Sequence, residues 1–121
     1  VRIVGVMPEG SAVYVDSRKQ GKLVTLDTCA SMADAVVRKT GEPYLYPYIE
    51  KYVDDIVAVS EETISKAVKM SAMYAKLTLE GAAVLPLAAL LEGKTAATPH
   101  TVLICSGGNI DQKVFERCLG E

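Results

Sequence analysis

The amino-acid sequence predicts an α/β fold, a partial three-layer domain with a mostly parallel sheet flanked by helices. Three observations predict it. The runs Arg2–Met7, Ile56–Val59 and Thr101–Cys105 are apolar on consecutive positions rather than alternating, as strands covered on both faces of a parallel sheet are. Between the last two runs the apolar positions switch to a helical period. Each run then gives way at once to a turn or capping residue: Pro8, Ser60 and Ser106. The coarse order of strand, helix and loop, helix, strand, helix, helix, strand is one of parallel crossovers.

Taken in order, Arg2–Met7 is β-branched and apolar with no cap or turn chemistry ahead of it, so the chain is expected to begin inside a fold. From Gly10 to Pro43 the glycines at 10, 21 and 41 break the pattern, which leaves a short helix near Ser11 to Arg18 and then an irregular loop through Ala35. Tyr44, Tyr46, Tyr48 and Tyr52 surround a helix from about Pro47 to Val53. Without basic neighbours for a stacking platform, these aromatics read as core packing. After the second run, Ser60 is a helix N-cap with Glu61 and Glu62 at the positive end of the helix dipole. Ile64, Ala67, Val68, Ser71, Ala72, Ala75 and Leu79 mark the apolar face of that helix. A buried helix follows from about Val84 to Glu92, with Gly93 as its stop. Pro86 fits there only if the regular helix starts at it. The chain closes on a helical tail, Gln112 to Leu119.

Composition excludes several classes of function. With 121 residues, half of them apolar, and a net charge of −2, the chain is one domain with neither a basic nucleic-acid surface nor a disordered composition. The longest apolar stretch, Ala82 to Leu91, is far short of the roughly 20 residues a bilayer span requires. Cys29, Cys105 and Cys118 form no CxxC pair and no secretory signal opens the chain, a pattern that fits the cytoplasm. His100 is the only histidine and has no ligand partner at metal-binding spacing, so it reads as a surface residue. Cys105 is expected to be buried in its strand.

In open α/β sheets ligands sit beyond the carboxyl ends of the strands. After the third run stands Ser106-Gly107-Gly108-Asn109. Its glycines permit a close backbone approach and its hydroxyl can donate or accept. Taken alone, SGGN reads first as a tight turn. The blocks Val4 to Gly10, Ser31 to Ala35, Val53 to Glu62, Lys76 to Ala82 and Ser106 to Asp111 together, however, resemble in order the second half of the catalytic domain of threonine/serine dehydratases and serine racemases.

That resemblance implies the large-domain portion of a fold-type II pyridoxal-phosphate enzyme, with pyridoxal 5′-phosphate as cofactor. It implies that Ser106 hydrogen-bonds the pyridine nitrogen and that Gly107 and Gly108 let the backbone close under the ring. A neutral hydroxyl there leaves the nitrogen largely unprotonated and suits elimination of a β-substituent. Glu80 falls at the family's glutamate facing the cofactor cavity, where a solvated helix-end carboxylate is the alternative. Ala35 stands where the family usually has a glycine passing near the ring. Met7 and Val13 occupy positions where some relatives carry carboxylates of a divalent-cation site, so no metal is expected there.

Two further parts of the family's site have no match. Every lysine here reads as solvated, and no glycine-rich run precedes a helix to cradle the phosphate. Residues 1–121 are therefore expected to be the C-terminal portion of one catalytic domain, with the lysine and phosphate loop in an N-terminal part. The implied parent activity is deamination of L-threonine or L-serine to a 2-oxo acid and ammonia by a homo-oligomer, the chain alone being inactive. The alternatives are serine or hydroxyaspartate racemisation on the same scaffold, and a non-catalytic α/β module.

Overall fold

A computed structural model describes residues 1–121. Two of the expected strands form. β1 (Val4–Pro8) and β2 (Asp55–Val59) pair in parallel, with Val4 opposite Asp55 and Pro8 opposite Val59. A parallel pair needs a long crossover. Here the crossover contains α1 (Val13–Gln20), an irregular loop and α2 (Tyr46–Tyr52).

Period-two alternation sends the strand residues to two cores. Val6, Val57 and Val59 meet the larger core, which is built on α3 (Glu61–Met70) and α4 (Leu85–Leu91) through Ile64, Val68, Val84 and Ala88. Met7, Ile56 and Ala58 meet a smaller one with Ala12 and Val13 of the α1 side. Both faces of the strand pair are thus covered, which explains why their sequences show consecutive apolar residues. Met7 and Val13 are packing residues of that second core.

The Ser60 cap forms as expected, its hydroxyl accepting from the Thr63 amide at 3.3 Å. The helix is shorter than its periodicity suggests. It widens into a π-helical turn at Ser71–Ala75 and stops at Lys76, whose φ of 59° is left-handed. A π turn adds a residue to the helical repeat and breaks the register, so Leu79 reaches the core from outside the helix. Pro86 lies in the first turn of α4, where its missing amide costs nothing. The tail forms as α5 (Gln112–Gly120), capped by the Asp111 carboxylate on the amides of Lys113 and Val114. Its Cys118 enters the larger core.

Three expectations fail. Thr101–Cys105 is not a strand: the sheet has only β1 and β2, Val102 and Ile104 are 78% and 70% exposed, and Cys105 is exposed rather than buried. A strand exists only through a neighbour's backbone, and no strand of this chain lies beside this run. The tyrosines are not core either. Tyr44, Tyr48 and Tyr52 are exposed and only Tyr46 is half-buried. The reason is that α2, at seven residues, lies on the surface, held by Arg18 through Glu50 and the carbonyls of Ile49 and Val53.

Candidate functional site

The carboxyl end of β1 runs into a 3₁₀ turn, Glu9–Ser11, and that of β2 into the N-terminus of α3. The irregular segment that follows α1 returns to this end of the sheet. The Ala30 amide donates to the Gly10 carbonyl at 3.0 Å, and the Met32 amide donates to Glu61 Oε2 at 2.9 Å. Ser31–Ala35 is therefore tied to the start of both elements.

Glu80 and Gly81 join this segment to the SGGN turn. A side chain at Gly81 would meet the Met32 carbonyl at 2.8 Å and Ala33 Cα at 3.0 Å, so only a glycine lets the two backbones touch. On the other side the Glu80 amide donates to the Gly107 carbonyl at 3.2 Å. A Cβ at Gly107 would lie 2.5 Å from Glu80 Oε1, and one at Gly108 would strike the carbonyl oxygen of Thr78. The two glycines thus let the turn pack directly against the Thr78–Glu80 segment.

The structure brings Gly107 against Glu80 and Gly108 against the Thr78 carbonyl, and carries Ser106 with them. Ser106 is exposed, Glu80 and Gly107 are half-buried. Ala35 is also exposed, in a 3₁₀ turn (Asp34–Val36) that packs against the Ala82–Val84 turn just beyond Gly81. Sequence reasoning missed Glu61 as the tether of the 31–35 segment. The acidic pair after Ser60 was visible, but helix-dipole complementarity accounts for both residues locally, and only the fold shows that one reaches Met32. Eight of the nine lysines are exposed and Lys69 is half-buried. His100 is exposed.

The shifted carboxylate of this end of the molecule is Glu92. Burial alone would raise it, but the Ser60 hydroxyl and amide, donating at 2.5 and 2.8 Å, hold it below the ordinary carboxylate range with help from Thr63 and Lys94. It pins the start of α3 to the end of α4. An open cleft of about 570 Å³ beside Lys66, Lys69, Met73 and Tyr74 shares no residue with the Glu80–Gly107 contact. No helix is long and apolar enough to cross a membrane.

Comparison with known proteins places these features in a wider frame. A family described as pyridoxal-phosphate dependent enzymes matches residues 1–107. An L-threonine ammonia-lyase of Geobacter sulfurreducens is 38% identical over 116 residues, covering 95% of this chain and 29% of its own. A serine racemase of Oryza sativa subsp. indica is 32% identical over 121 residues, covering 95% of this chain and 35% of its own. The processed form of threonine deaminase isoform 2 from Solanum lycopersicum superposes with a TM-score of 0.88 at 26% identity, over 99% of this chain and 36% of that one. The chain spans about a third of the length of these relatives.

Proposed function

Because this chain belongs to the family of pyridoxal-phosphate dependent enzymes, we propose that residues 1–121 are the C-terminal portion of one catalytic domain of an L-threonine or L-serine ammonia-lyase. The 38% identity to an L-threonine ammonia-lyase over nearly all of the chain carries this reading. In it the substrate is a β-hydroxy amino acid, the protein a cytoplasmic homo-oligomer, and the product a 2-oxo acid with ammonia.

The residues present fit one wall of the cofactor's site. Gly107 and Gly108 pack their bare Cα positions against the Glu80 side chain and the Thr78 carbonyl, and Gly108 is exposed on the turn, where a flat ring would approach. Ser106 is exposed beside them, with its hydroxyl in none of the chain's side-chain hydrogen bonds. Pyridoxal phosphate, when bound, supplies the electron sink that weakens bonds at the substrate's α-carbon. Ser106 would hold the ring nitrogen through a neutral hydroxyl, which favours loss of the β-hydroxyl. Glu80, fixed through its amide on Gly107, would face the same cavity. Ala35 would line its edge from the segment that Glu61 tethers. No lysine of this chain has a part in the reading, in which a lysine and a phosphate-binding loop would come from the other two-thirds of the relatives' length.

The test is ammonia release from L-threonine and L-serine by a protein of the relatives' length that contains these residues, and by the 121-residue chain. Activity only in the longer protein is expected; release by the chain alone would overturn the division of labour. In the longer protein Ser106→Ala should lower kcat with the fold retained, and Ser106→Asp should shift turnover from elimination toward α-hydrogen exchange in deuterated water. Equal rates in all three, with cofactor bound, would return Ser106 to a turn residue. The rice serine racemase among the relatives favours one second reading, racemisation, which the same exchange measurement separates.

A further inference from the structure

Residues 30–38 form a loop whose two ends are held by neighbouring residues of one short turn. The 3₁₀ turn that follows β1 contains both Gly10 and Ser11. At the start of the loop the Ala30 amide donates to the Gly10 carbonyl at 3.0 Å, and a side chain at Gly10 would strike the Ala30 carbonyl oxygen. At the other end the Ser11 hydroxyl donates to the Arg38 carbonyl at 3.0 Å and accepts from the Arg38 amide at 2.9 Å. Neither backbone group of Arg38 has another partner within the chain. Ser11 is fully enclosed, so its hydroxyl is engaged with Arg38 rather than with solvent.

Between these ends the loop is fastened unevenly. Its first half has the Glu61 carboxylate on the Met32 amide and the enclosed Ala33 packed on Gly81. Beyond the exposed Ala35, the ties are the Val36 side chain on the larger core and the Ser11 clasp on Arg38. A loop closed at both ends has already lost the freedom that an open one must give up when something orders it. Without the hydroxyl, an amide and a carbonyl of the half-buried Arg38 would stand unpaired, and they regain partners only if the loop shifts toward water. Such a shift moves Ala35 with it.

We propose that Ser11 is a positioning residue for the wall of the cofactor cavity: its hydroxyl closes the 30–38 loop onto the end of β1 and thereby fixes where Ala35 stands. This rests on the reading of the chain as part of a pyridoxal-phosphate catalytic domain, in which Ala35 lines the cavity's edge. Ser11 itself touches neither ring nor substrate and acts through Arg38. Its effect is on affinity. A wall held closed in advance asks no ordering of the cofactor, whereas a loosened one binds only in the fraction of molecules that have it in place.

The experiment uses a protein of the relatives' length that contains these residues, as wild type, Ser11→Ala, Ser11→Cys and Val13→Ala. Val13 is enclosed in the second core close by and takes no part in the clasp, so it reports general loosening. Each protein, freed of cofactor, is titrated with pyridoxal 5′-phosphate by fluorescence, and amide exchange across residues 30–38 is followed by mass spectrometry. Ser11→Ala should raise the cofactor's Kd on the order of tenfold and speed exchange at Arg38. Ser11→Cys, a weaker donor and acceptor, should fall in between. Val13→Ala should lower the Tm at least as much as Ser11→Ala while keeping Kd within about twofold. Faster exchange with an unchanged Kd would make the clasp structural only and overturn the proposal. So would unchanged exchange, or an equal rise of Kd in Val13→Ala. Should Ser11→Ala not fold, Ser11→Cys decides by the same comparisons. A wild type that binds no cofactor would overturn the ammonia-lyase reading and this proposal together, whereas wild-type affinity in both Ser11 variants overturns this proposal alone.

Discussion

The α3–α4 side of the molecule and the Thr101–Cys105 side are built from similar residues and behave in opposite ways. Ile64, Val68 and Val84 are fully enclosed, while Val102 and Ile104 are mostly in water. The difference is not hydrophobicity. A helix satisfies its own backbone and needs a neighbour only for one face, whereas a strand needs neighbours for its backbone as well. Apolar sequence therefore yields finished structure on the first side, and on the second a run that pairs with neither strand of the sheet.

The strongest test of this contrast is a matched pair of truncations in the 121-residue chain. Ile64→Ala should cost about 2 to 5 kcal/mol, the usual range for emptying an enclosed aliphatic site. Ile104→Ala should stay within about 0.5 kcal/mol by urea denaturation. A comparable loss at Ile104 would mean that the run is packed in solution, and the contrast would break.

A smaller effect sharpens the border between the two sides. Gly108→Ala sets a methyl group against the Thr78 backbone carbonyl, so a peptide must move, at about 1 to 3 kcal/mol. Gly107→Ala meets only the end of the Glu80 side chain, which can swing away at lower cost. Thermal melts should rank the two variants in that order; equal losses would mean that Glu80 is held as rigidly as backbone.

The finished side should also carry a pH signature. Glu92 titrates below its ordinary range in the folded chain, so its contribution is complete above the unfolded carboxylate value and fades as pH falls through the lower folded one. Removing the charge with Glu92→Gln should cost about 1 kcal/mol at neutral pH and flatten the acid limb of the stability curve. An unchanged acid limb would show that the Ser60–Glu92 contact is not formed in solution. Smallest of all, magnesium or calcium should leave the melting temperature unchanged, since Met7 and Val13 fill the second core with carbon and sulfur. A cation-dependent rise would point to ligands elsewhere.

How much was legible in the sequence follows the same division. β1, β2, the Ser60 cap, the start of α4 near Pro86 and the α5 tail are set by local pattern and were readable within a few residues. Leu79 misled because a π turn and a left-handed Lys76 interrupt the period, and neither has a composition signal. The tyrosines misled because their burial depends on where a short helix lies, not on their own character. Of the candidate site, the resemblance assigned Glu80 and Gly107 each to one cavity, but their direct contact and the Glu61–Met32 tether were not legible.

Ser106 sits where the two sides meet. Its successor, Gly107, is clasped by the Glu80 amide, while its predecessor, Cys105, has no backbone partner. The hydroxyl is thus carried on a lever fixed at one end. Immobilising one residue's backbone costs on the order of 1–2 kcal/mol of conformational entropy. A ligand that meets Ser106 in the isolated chain must supply that ordering itself, a handicap of roughly tenfold in affinity for each 1.4 kcal/mol. Fixing the loose end in advance would tighten the grip of that hydroxyl without adding any new contact to the ligand.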